Sequence, residues 1–162
     1  MKTILTISFL ILSVIIFAQG SSKSKVGDFY LEYTSFNKTI IMKGEVITLL
    51  EWEEQYDNPI SSMPGSRKEI IKTSVISSDD LSALKNLIKE NRFMSLPKNE
   101  YGGSAEERYY PYSITVTTNG KQKKVLYRSN PSPGTEQAPQ AFTNLEKKID
   151  EIIVGIKQWS KN

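Results

Sequence analysis

The chain has 162 residues, 38% hydrophobic and 24% charged, with a formal net charge of +3, a globular balance that does not have a disordered or nucleic-acid-binding profile. Cysteine and histidine are both absent. Their absence excludes disulfides, thiolate nucleophiles, thiolate metal sites and the usual serine, cysteine and zinc hydrolases.

Met1-Lys2-Thr3 is a short positive start, and Ile4 to Phe17 is an apolar run interrupted only by Thr6, Ser8 and Ser13. Ala18-Gln19-Gly20 closes it with a small-x-small end. This is the pattern of a secretory signal peptide. Cleavage after Gly20 fits the small-residue rule best, and cleavage after Ala18 also fits. The run is short for a membrane span of ~20 residues. Residues 1–20 are therefore predicted as a signal peptide, 21–27 as a flexible lead-in and 28–160 as a single α+β domain. The expected destination is the periplasm or the extracellular space, with no membrane association after cleavage. An exported chain without cysteine relies on packing alone, and about 140 residues suffice for that.

β-prone runs predict strands at 29–36, 39–43 and 45–54, with Lys43-Gly44 as a tight turn. Ile47 and Leu49 fall on one face of the third run, and Val46, Leu50 and Trp52 on the other. A strand apolar on both faces belongs at the centre of a sheet or carries a bulge. Glu51, Glu53, Glu54 and Asp57 form an acidic cluster. Carboxylate pairs serve glycoside hydrolysis and hard-cation binding, but neither motif's context is present, so the cluster reads as a solvated strand end. Residues 58–66 read as a loop, and Arg67 to Ile76 as a returning strand.

Ser77-Ser78-Asp79-Asp80 opens a helix, with Ser78 as the expected N-cap and the aspartates at the positive end of the dipole. Leu81, Leu84, Leu87 and Ile88 form its apolar stripe. The helix is expected to end near Asn91, with Phe93, Met94 and Leu96 turning back into the core before Pro97. Ser82 to Lys85 matches the S-x-x-K motif of penicillin-recognising enzymes. The same pattern recurs at Ser22–Lys25, Ser35–Lys38 and Ser95–Lys98, and the companion motifs are missing. Lys98 to Arg108 reads as a surface loop.

Tyr101, Tyr109, Tyr110 and Tyr112 concentrate aromatic side chains ahead of the clearest element, a hairpin around Asn119-Gly120. Its register pairs Thr118 with Lys121, Val116 with Lys123, Ile114 with Val125 and Tyr112 with Tyr127. Side-chain alternation puts these on one face, with Tyr110 at its outer end and Tyr109 pointing away. Tyr101, Tyr109, Tyr110 and Arg128 are the candidate binding residues, because tyrosine offers an apolar body and a polar tip for stacking. Lys121, Lys123 and Lys124 read as a solvated hairpin tip. Pro139 fits the first turn of a last helix, whose stripe is Phe142, Leu145, Ile149, Ile152, Ile156 and Trp159. Gly155 either allows close approach to the sheet or weakens the helix.

Leu81…Leu84…Ile88, Arg92-Phe93…Leu96-Pro97, Tyr112 to Val116, Lys124-Val125…Tyr127 and Phe142…Leu145…Ile149 together resemble the helix–hairpin–helix half of small exported bacterial domains of unknown function. The same positions, from about Ser78 to Ile153, are similar to the emfourin family of metallopeptidase inhibitors. That resemblance implies a compact domain and an inhibitory role, and it carries over no functional residue.

The expected fold is α+β, an antiparallel sheet of about five to six strands with two helices packed on one face. The expected function is a non-catalytic exported module binding a protein, peptide or glycan, without metal or cofactor and without nucleic acid. The alternatives are a carboxylate-based hydrolase and an inhibitor of an exported peptidase.

Overall fold

The computed structural model describes residues 29–55, 66–104, 106, 109–130 and 132–161. The predicted signal peptide, the lead-in, Asp57 and most of the 58–66 loop lie outside the described residues.

Four strands come first, β1 (Phe29–Thr34), β2 (Lys38–Lys43), β3 (Val46–Gln55) and β4 (Ser66–Val75). Helix α1 (Ser78–Glu90) follows, then a single 3₁₀ turn at Phe93–Ser95. Strands β5 (Glu100–Gly102), β6 (Tyr110–Thr118) and β7 (Lys121–Ser129) precede helix α2 (Gln140–Gly155). A two-residue strand, β8 (Ser160–Lys161), ends the described chain. The strands form one sheet in the order β5-β7-β6-β1-β2-β3-β4-β8.

The fold is α+β as expected, but the sheet is larger and mixed. Among the described residues it has seven strands plus the short β8 bridge, and β5 runs parallel to β7. The reason is the segment read as a surface loop. Tyr101 at its centre is buried, at 8% exposure, and the backbone around it bonds to β7 through Leu126 N to Asn99 O (2.8 Å) and Gly103 N to Arg128 O (2.9 Å). Three residues are too few for alternation to register as a strand.

Asn119 and Gly120 both have positive φ, 50° and 70°, as a two-residue hairpin turn with right-handed strand twist demands. The pairing follows the expected register from Thr118↔Lys121 to Tyr112↔Tyr127. Strand β1 then pairs with β6, Leu31 opposite Val116 and Tyr33 opposite Ile114. β3 lies inside the sheet between β2 and β4, which explains its apolar residues on both faces.

One face of the sheet presents Leu31, Tyr33, Ile40, Met42, Ile47, Leu49, Ile114, Val116 and Val125, all buried. Leu81, Leu84 and Ile88 of α1 and Phe142, Leu145, Ile149 and Ile152 of α2 complete the same core. The helices are tied to each other by Lys148 Nζ to Asp80 Oδ1 (2.9 Å) and Asn144 Nδ2 to Asn91 Oδ1 (2.8 Å). The other face is more open. Thr39, Ile41, Thr48, Leu50, Ile71 and Thr73 are partly exposed there, and Val46, Trp52 and Val75 are exposed.

Two helix ends differ from expectation. Ser77, not Ser78, caps α1, its hydroxyl accepting from Asp80 N at 3.0 Å, because one residue further back has the extended backbone a cap requires. Helix α2 stops at Gly155, so Ile156 and Trp159 pack on the core from an extended tail. A Cβ on Gly155 would meet nothing within 4 Å, so this glycine does not serve a close approach to the sheet.

Candidate functional site

Helix α1 places Lys85 and Lys89 one turn apart, and Arg92 follows three residues later, so the cations flank the buried stripe. Arg92 takes the left-handed conformation, φ 53°, which reverses the chain and sends Phe93 into the core. The reversal opens a cleft of about 530 Å³ between the end of α1, the 3₁₀ turn, the start of β1 and the β6–β7 turn. Phe29 and Ile88, both buried, and the half-buried Met94 give it an apolar floor. Lys85, Lys89 and Arg92 form its rim, and Asn86, Ser95, Thr118 and Asn119 add polar groups. Among the described residues no acidic side chain lines it.

The rim cations differ from the other lysines near the core. Lys38 pairs with Asp150 (2.8 Å), Lys72 with Glu51 (2.6 Å), Lys98 with Glu136 (2.7 Å) and Lys148 with Asp80 (2.9 Å). No carboxylate of the described residues pairs with Lys85, Lys89 or Arg92. Lys85 Nζ sits 5.3 Å from the centre of the Phe29 ring, within cation–π range. The carbonyl end of α1 favours a cation in its last turn, where Lys89 lies. Lys85 sits a turn further back, beyond the reach of that effect.

The four sequence candidates do not form one site. Tyr101 is buried and its hydroxyl accepts from Lys98 N at 3.4 Å, which removes its ring from any surface platform. Tyr109 and Arg128 do meet, with the guanidinium 5.5 Å from the ring centre. Arg128 Nη2 is bound to Glu100 at 2.7 Å. Glu100 and the Tyr109 hydroxyl hold the guanidinium above its already high range. Tyr110, 46% exposed, sets its ring edge-on to the exposed Phe36 at 5.7 Å. The hairpin's approach and exit lie close together, bridged by Lys98–Glu136 and by the Tyr110↔Ser129 pair.

Several of the described carboxylates are engaged in ion pairs or hydrogen bonds. Glu51, Glu100, Glu136, Asp80 and Asp150 each hold a cation. Asp80 lies below the usual carboxylate range because it accepts from Lys148 and Ser77. Glu146 accepts from the Tyr33 hydroxyl at 2.6 Å. Burial, then that bond and the charges of Glu146 and Asp150, push the Tyr33 phenol far up. Among the described residues no group of three or more acidic side chains could hold a metal ion. No helix of the described residues is long and apolar enough to cross a membrane.

No family model matches this chain, and no curated protein matches it. The likeness to emfourin-type inhibitors therefore stands on spaced core positions alone.

Sequence reasoning did not pick out the cleft. The spacing of Lys85, Lys89 and Arg92 was available as a signal. Their meeting with Phe29 and Asn119 was not, because it depends on β1 pairing with β6 across the intervening sequence.

Proposed function

We propose that the chain is an exported, non-catalytic binding module whose ligand occupies the cleft between α1 and the β6–β7 turn. The observation that carries this reading is the combination of apolar floor and unpaired cationic rim in a cavity of about 530 Å³. Ligand sites of soluble proteins are concave, mostly apolar, a few hundred Å³ or more, and oriented by a small number of polar groups. Export is supported by the N-terminal pattern of residues 1–20.

A non-catalytic role is supported by the composition and by the carboxylates. Hydrolysis by paired acids needs two of them converging, one with a raised pKa. Here the ion-paired acids hold elements together, and Asp80 is shifted down. Inhibition of an exported peptidase remains as the alternative with the least structural support. Unchanged secreted proteolysis on adding the purified protein removes it.

A second reading has its own observation. The exposed Phe36 and Tyr110 rings meet edge-on, and such an aromatic corner suits stacking against a sugar or an aromatic side chain.

The test expresses the full chain in a bacterial host with a photo-crosslinking residue at Asn86 in the cleft, and separately at Phe36. A mature chain starting at Gln19 or Ser21 in the cell envelope or medium is expected, with an adduct formed from position 86. An unprocessed, retained chain overturns export. Adducts formed only from position 36 move the site to the aromatic corner.

A further inference from the structure

We propose that the cleft binds a small amphiphile, an anionic headgroup held by Lys85, Lys89 and Arg92 with its apolar chain lying on Phe29, Ile88 and Met94. This rests on the binding-module reading and names the ligand class for the same site.

Three observations lead there. First, the described residues of the rim carry charge of one sign only. Lys85 and Lys89, four residues apart on one helix, repel each other, and Arg92 adds a third cation at the same mouth. An anion relieves that repulsion. Carboxylate and phosphate share the required chemistry, since the arginine fork suits both and lysine supplies a point charge. Second, the floor is apolar. A free inorganic anion makes no use of the apolar floor, where Phe29 and Ile88 show a little surface and the half-buried Met94 shows more, and a neutral hydrocarbon leaves three cations beside it without a partner. A molecule with both parts satisfies both surfaces. Third, the strand that lines the cleft offers no edge. β1 lies inside the sheet between β6 and β2, so a peptide entering the cleft finds no free backbone ladder of the kind strand-adding recognition uses.

The mature protein is titrated with dodecanoate and with dodecyl phosphate, below their micelle-forming concentrations. Dodecyl maltoside, acetate and inorganic phosphate serve as comparisons. Calorimetry gives the affinity, and NMR follows the Ile88 and Met94 methyl groups. Both anionic amphiphiles are expected to bind and to shift those methyls, and their ratio tells which headgroup is preferred. The maltoside and the free anions are expected to bind at least about tenfold more weakly, a difference of roughly one good charged contact. The double variant Lys89→Glu, Arg92→Glu is expected to lose at least about tenfold in affinity. Lys124→Glu, on the opposite face of the sheet, is expected to change it little. Thermal unfolding of each variant shows whether the fold is kept.

Equal binding of the maltoside, unshifted methyls, or undiminished affinity in a folded double variant overturns the proposal. A peptide captured from position 86, with no amphiphile binding, overturns the ligand class and leaves the binding module standing. No adduct and no amphiphile binding overturns both.

Discussion

Gly102 shows how one residue sets the edge of the sheet. Its φ is +92°, and a Cβ there would stand 2.1 Å from the Arg128 carbonyl oxygen. Only glycine lets β5 come this close to β7. Gly102→Ala is expected to cost roughly 2 kcal/mol, from positive φ and the backbone clash together. A lower denaturant midpoint and faster exchange of the Leu126 and Gly103 amides would show it. Unchanged exchange would mean that β5 is held by Tyr101 alone. Tyr33 makes a second prediction at this scale. Its phenol is raised in the folded state, first by burial and then by Glu146, so the folded state favours the protonated form. That stabilisation is complete below the unfolded tyrosine pKa of about 10 and is lost as the pH rises beyond it. Tyr30, pushed up to about 12 by burial and by its bond to Glu32, follows the same sign. Tyr33→Phe is expected to cost about 1 kcal/mol at neutral pH through the lost bond. It should also flatten the fall in stability above about pH 10. Denaturation midpoints measured across that range in both proteins check the sign.

At the scale of elements, the β6–β7 hairpin and the helix stripes were legible in the sequence, and the edges were not. Asn119-Gly120 fixes a turn whose two residues both need positive φ, and alternation then carries the register outward to Tyr112 and Tyr127. Replacing Asn119-Gly120 by Val-Val is expected to destabilise the fold by about 2 kcal/mol or more, since two β-branched residues would be held at positive φ. Lys121→Ser, at an exposed position, is expected to be nearly neutral. A reversed order in chemical denaturation would contradict the turn. β5 escaped notice because a Gly-bearing triplet has no period to read. β8 escaped because α2 ends at Gly155, while the apolar stripe continues at the right spacing through Ile156 and Trp159. Those two residues are partly buried against the core from a non-helical tail, and sequence spacing alone does not separate the two cases.

For the whole molecule, a single core joins both helices to one sheet face. Phe142 is fully buried, with its ring 6.0 Å from that of Tyr127. Phe142→Ala is expected to cost about 3–5 kcal/mol. Trp52 on β3 and Trp159 in the C-terminal tail, read in separate single-tryptophan variants, are expected to report one shared midpoint, because one core unfolds as one unit. Two midpoints would mean that the tail melts apart from the sheet. The candidate site is legible only at this scale. Its parts come from β1, α1, the turn after it and the hairpin, and their sequence positions gave no reason to group them. Tyr109 and Arg128 stand out in the sequence separately, one in the tyrosine concentration and one among the hairpin cations, and the fold brings them together. Tyr101 was read as a surface residue because its strand went unseen.

The central place of β1 in the strand order also governs when the molecule can close. Leu31 and Tyr33 wait for Val116 and Ile114, and the covering helix residues Phe142 and Leu145 come later still. The first four strands therefore present an unsatisfied edge and a bare apolar face until nearly the whole chain has been delivered. A polypeptide threaded through a membrane from its N-terminus would stay loose during passage and set into its final form only after release.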